Sequence, residues 1–134
     1  FRFFAEQGFL IVYCVGEPLA VREEGNDALM AYIEKQFEGI DLSYTDLIVA
    51  YEPVWAIGTG LTPSNQDIEA VHSALRAKTH APLLYGGSVK VDNAGEIMAL
   101  DNVDGVLVGS ASLSANDFCE MIAQAAELNT ERGE

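Results

Sequence analysis

The sequence predicts an α/β fold of four successive strand–helix units, and three observations carry that prediction. Four short runs, residues 9–15, 47–51, 82–85 and 103–108, are almost continuously apolar. Unbroken runs of this length mark strands buried on both faces, as in a parallel sheet covered by helices. Between them the apolar residues recur at helical spacing. Each connection is also long enough for the right-handed crossover that joins parallel neighbours.

Taken in order, residues 1–8 read as the last turns of a helix stopped by Gly8. The first strand ends at Gly16-Glu17-Pro18, and a helical region follows. Asn26 can cap a helix whose apolar positions Leu29, Met30, Ile33 and Phe37 share one face, with Gly39 closing it. Beyond the second strand, Ser64 followed three residues later by Asp67 starts a helix with the stripe Ile68, Val71 and Leu75. A short helix near residues 93–99 leads to the fourth strand. The last helix starts at Ser114, with Asp117 three residues on and a stripe of Phe118, Met121, Ile122, Ala125 and Leu128. The polar tail, about 129–134, reads as disordered.

With 134 residues and 49% hydrophobic content, the chain forms one domain, 1–134. Four strand–helix units make half of an eight-stranded barrel, which typically needs roughly 250 residues. The first residue is Phe1, which reads as a piece of something longer. A net charge of −14 argues against nucleic acid and anionic membrane as partners. The same charge opposes an anionic ligand unless a local positive site overrides it. Two cysteines make no disulfide framework, so a reducing cytoplasm is expected. No signal peptide or membrane span is read. No cofactor is called for, and His72 and His80 are expected at the surface, without metal-ligand spacing around them. Cys14 is expected to be a buried packing residue.

The chemistry gathers behind the second strand, in Glu52-Pro53-Val54-Trp55-Ala56-Ile57-Gly58-Thr59-Gly60. A carboxylate at the C-terminal end of a parallel strand stands where such folds keep their sites. On position alone Glu52 is either a solvated strand-end glutamate or a base that takes a proton from a carbon next to a carbonyl. The loop has the make-up of a lid, stiffened by Pro53 and freed at Gly58 and Gly60. Trp55 can be simple packing. Three segments point to a phosphate: Gly58 in the lid, Gly87-Ser88 after strand three, and Gly109-Ser110 after strand four. Backbone N–H groups at such turns hold phosphate, and the last two strands of a barrel are its usual place.

The run from Leu47 to Gly60 resembles the catalytic strand and flexible loop of the triosephosphate isomerase family. Three further stretches match in order: Val12-Tyr13-Cys14-Val15-Gly16-Glu17, Tyr85-Gly86-Gly87-Ser88-Val89, and Val103 through Ser112. The resemblance covers nearly the whole chain. It implies strands five to eight of a TIM-type barrel and an isomerase of triose phosphates with Glu52 as the proton shuttle. It further implies that backbone amides of Gly58, Ser88, Gly109 and Ser110 bind the phosphate, with Ser110 where a second glycine is common. Trp55 then anchors the lid, exchanging partners with Glu17. Pro53, Val54, Ala56, Thr59 and Gly60 form the rest of the lid, while Ile57 and Leu107 clamp over the base and desolvate it.

Two departures follow from the same resemblance. The family's latch runs from the tyrosine of Tyr-Gly-Gly-Ser to a backbone N–H near the lid's end. Pro63 stands there and has no N–H, so Tyr85 latches elsewhere or closure is weaker. The family's lysine and histidine motifs, on its first and fourth strands, are absent from this sequence. Their absence implies that the chain alone is inactive or nearly so. It also implies pairing with the missing N-terminal half or with a second copy. A non-catalytic, self-associating half-barrel scaffold is the alternative reading, and another sugar-phosphate barrel a third.

Overall fold

The computed structural model describes residues 1–133 and shows the four expected strands: β1 (Ile11–Val15), β2 (Leu47–Tyr51), β3 (Leu83–Gly86) and β4 (Gly105–Leu107). All pair in parallel, in the order β1-β2-β3-β4, as in half of a (β/α)8 barrel. The helices are α1 (Arg2–Glu6), α2 (Leu19–Glu23), α3 (Asn26–Gln36), α4 (Asn65–Arg76), α5 (Val91–Met98) and α6 (Ala115–Glu131).

Two predicted caps are in place. The Ser64 side chain accepts from Asp67 N at the start of α4, and Ser114 accepts from Asp117 N at the start of α6. A cap of this kind satisfies one of the free N–H groups of a helix's first turn. In α3 the cap is Gly25, and Asn26 is the first helical residue.

The core lies on one face of the sheet. Leu47, Val49, Tyr51, Leu83 and Tyr85 join Leu29 and Ile33 of α3 and Ile68, Val71 and Leu75 of α4 in a single cluster. The pleat sends alternate residues to opposite sides, so the intervening residues form the other face. The register aligns Cys14, Ala50, Leu84 and Gly105 there, with Val12 beside Ile48. Val12 and Cys14 are exposed, while Ile48 and Leu84 are half-buried.

Several expectations are corrected. Residues 9 and 10 lie outside β1, with Phe9 and Leu10 exposed, because pairing with β2 begins at Ile11 N to Asp46 O. β4 is shorter than residues 103–108. In α6 only Met121 is fully buried, and Phe118 and Ile122 are exposed. Their side lines a groove with Val106 and Val108 along β4, an edge with no further strand among the described residues. The tail is helical through Glu131, and Arg132 donates to Met98 O at 3.1 Å; Glu134 lies outside the described residues. His72 is not at the surface: it is fully buried on the stripe of α4, whereas His80 is exposed. Cys14 is exposed rather than buried, because among the described residues no layer covers its face of the sheet.

Candidate active site at the C-terminal ends of the strands

The loops after β1, β2, β3 and β4 meet at one end of the sheet. Glu52 directly follows β2, and its N–H donates to Val15 O at 2.7 Å. Two glycines make room for it. A Cβ on Gly16 would lie 1.7 Å from Glu52 O, and one on Gly86 would lie 2.7 Å from Glu52 Cγ and 2.8 Å from its Oε1. The Glu52 carboxylate therefore lies across the bare backbone of Gly86. Leu107 is the register partner of Gly86 and continues the same row.

Cys14, two residues before Gly16, reaches the same carboxylate. Its thiol is pushed up by partial burial, by the Glu52 charge and by a hydrogen bond to Glu52. A thiol held protonated is a donor rather than a nucleophile.

The segment expected to be the lid begins with the buried Pro53 and a 3-10 turn over Val54–Ala56. Trp55 Nε1 donates to Glu17 Oε1 at 3.2 Å, and Tyr51 Oη donates to the same oxygen at 3.0 Å. Glu17 is fully buried, and its other oxygen has no partner among the described residues. Burial, then the Glu17 charge, pushes the Tyr51 hydroxyl far up, so it stays protonated as the donor. Thr59 Oγ1 donates to Trp55 O at 2.8 Å and accepts from Leu61 N at 3.2 Å. Ser88 Oγ donates to Ala56 O at 2.8 Å, tying the lid to the loop after β3. Val54 is exposed and Ala56 buried.

Beyond the lid lies a cavity of about 620 Å³. Its lining includes Ile57, Gly58, Gly60, Ser88, Gly109 and Ser110, so three separate loops converge on one space. Glu52 is not part of that lining and stands on the adjoining sheet face. Ile57 is half exposed at the rim. The Tyr85 hydroxyl is buried without a partner among the described residues, and burial followed by the Glu17 charge pushes it far up. Pro63, also buried, offers it no N–H.

Three residues of this region were not placed at the site by the sequence reading. Cys14 could have been found by alternation, since it pairs with Ala50, two residues before Glu52. Lys90, immediately after the Tyr85-to-Val89 motif, lines the cavity. Asn93 accepts from Lys90 N at 2.8 Å and donates to Ser88 O at 2.9 Å, which pins the loop that carries Ser88. Its spacing of three from Lys90 is the capping signal for α5.

The family model for triosephosphate isomerase matches residues 1–125. The triosephosphate isomerase of Sulfurimonas denitrificans is 58% identical over 129 residues, 96% of this chain and 54% of that protein. Those of a Sulfurovum species and of Wolinella succinogenes are 57% and 55% identical, each over 91% of this chain and 53% of their own length. The chain thus spans about half the length of the curated relatives it matches. On these grounds the chain belongs to the triosephosphate isomerase family.

Proposed function

We propose that residues 1–134 form one half-barrel unit carrying the base, the lid and the phosphate cradle of a triosephosphate isomerase. The completed barrel interconverts dihydroxyacetone phosphate and glyceraldehyde 3-phosphate. The observation that carries this reading is the placement of Glu52 at the end of β2, with its carboxylate across Gly86 beside the three-loop cavity.

In this reading Glu52 takes a proton from the carbon next to the substrate carbonyl and returns it to the neighbouring carbon. Loop closure over such a glutamate base shields the proton transfer from water. Backbone N–H groups of Gly58, Ser88, Gly109 and Ser110 hold the phosphate, as N–H groups at such turns do. The lid, Pro53 to Gly60, closes with Trp55 pivoting on Glu17, and brings Ile57 from the rim over the base opposite Leu107. With Pro63 at the latch position, the Tyr85 hydroxyl lacks its usual lid partner, and closure is weaker. The lysine that neutralises substrate and the histidine that polarises its carbonyl come from the part of the barrel this chain does not cover. Alone, the chain does not turn over.

The apolar edges support a partner. Phe9, Leu10 and Val12 are exposed at the β1 end of the sheet, and Phe118 and Ile122 at the β4 end. Unpaired edge strands with apolar surroundings associate, either with the remaining half-barrel or with a second copy. No helix among the described residues is long and apolar enough to cross a membrane. Two free thiols suit a reducing cytoplasm.

The test is isomerisation of glyceraldehyde 3-phosphate by the chain alone and after addition of the first half of the Sulfurimonas denitrificans relative. Turnover only in the mixture is expected. Turnover by the chain alone would overturn the division of the site, and none in either would favour a non-catalytic scaffold.

A further inference from the structure

An anionic substrate has to approach a protein of net charge −14, so the disposition of its few cations matters. There are seven. Arg2, Arg22, Arg76 and Lys78 are held in ion pairs with Glu6, Asp67, Asp104 and Glu34. Arg132 donates to Met98 O on the groove side of the molecule. Lys35 sits in the last turn of α3. Lys90 is exposed, makes no ion pair among the described residues, and is the one cation in the lining of the cavity.

Its backbone is fixed as well. Asn93 accepts from Lys90 N and donates to Ser88 O, so the segment holding the Ser88 amide and the segment holding the ammonium are clamped by one side chain. The remaining charges of the lining are the carboxylates of Asp92 and Asp117, which would repel a phosphate. Without a cation the lining would carry only negative charge.

We infer that Lys90 is the phosphate-recruiting residue of this site. Its ammonium offsets Asp92, Asp117 and the field of the whole chain, and draws the phosphate dianion onto the backbone cradle. This rests on reading the cavity as a phosphate site. A single charge facing a dianion at the mouth of a cleft acts over distances comparable with the Debye length, so its effect fades with salt.

The experiment titrates inorganic phosphate into the 134-residue chain, following the amide resonances of Ser88 and Gly109, at about 20 mM and about 500 mM salt. Wild type, Lys90→Met, Lys90→Arg and Lys35→Met are compared. Lys90→Met is expected to bind about fivefold more weakly at low salt, with the gap closing at high salt. Lys90→Arg should restore binding, and Lys35→Met, which removes the same charge away from the cavity, should leave it unchanged. Equal binding by wild type and Lys90→Met overturns the inference while the cradle stands. Equal weakening by Lys35→Met overturns it too, by assigning the effect to net charge. Wild type that binds no phosphate removes the cradle reading itself.

Discussion

The two faces of the sheet are built from the same strands and differ in nearly everything else. One face is sealed by α3 and α4, and there Val49 and Leu83 are wholly inaccessible. On the other, Val12 is 42% exposed and Cys14 stands open beside Glu52. The sealed face supplies cohesion, since burial of apolar area is the main source of stability. In the proposed function the open face supplies the reactive groups, which must remain within reach of a ligand. The contrast makes stability and chemistry separable by mutation.

The largest effect should come from the sealed face. Ile68→Ala removes a fully buried side chain between helix and sheet and is expected to cost about 3 kcal/mol, read from the midpoint of urea unfolding. A shift under a third of that would mean the helical layer packs loosely. Next, Ser64→Ala deletes the cap of α4 and should cost about 1 kcal/mol in the same assay, since Asp67 N then loses its acceptor.

A pH effect follows from His72. Its ring is buried, with Nδ1 3.0 Å from Asn102 O, Nε2 unpartnered among the described residues, and the Tyr51 ring packed edge-on at 6.0 Å. Burial lowers its pKa; Arg76 lowers it further, while the Asn102 bond and Asp104 partly oppose this. With the folded value below the ordinary 6.5, the unfolded chain binds the proton more readily. Stability should therefore be fully present above pH 6.5 and fall as pH drops below it. Replacing His72 with Gln should flatten that part of the profile between pH 7 and 5. An unchanged slope would assign acid sensitivity to the carboxylates instead.

The smallest effect belongs to the open face. Val12→Ser should change stability by no more than about 0.5 kcal/mol and should reduce association in sedimentation. A loss comparable with Ile68→Ala would show that a partner seals this face.

The same contrast explains what was legible in the sequence. Strand runs and helix stripes report burial by neighbours within the chain, so the four strands and the Ser64 and Ser114 caps could be read directly. His72 was legible too. It stands four residues after Ile68 and three before Leu75, on the buried stripe, but its residue type outweighed its spacing. Phe118, Ile122 and Cys14 were misjudged for another reason: their pattern prepares them for a covering layer that these residues do not supply. The place of Glu52 at a strand end was readable from the buried run before it. Lys90 was not, because the role proposed for it depends on three loops converging and on the other six cations lying outside the cavity lining.

The most direct test of the central claim is deuterium incorporation into triose phosphate in heavy water, with the barrel completed by the missing half. Glu52→Asp keeps the carboxylate but withdraws it by about 1 Å, a misplacement that can cost roughly a hundredfold in rate. Wild type should exchange the proton at the carbon beside the carbonyl, and Glu52→Asp should do so about a hundredfold more slowly. Exchange at an undiminished rate in Glu52→Asp would contradict the account and assign the base to another residue.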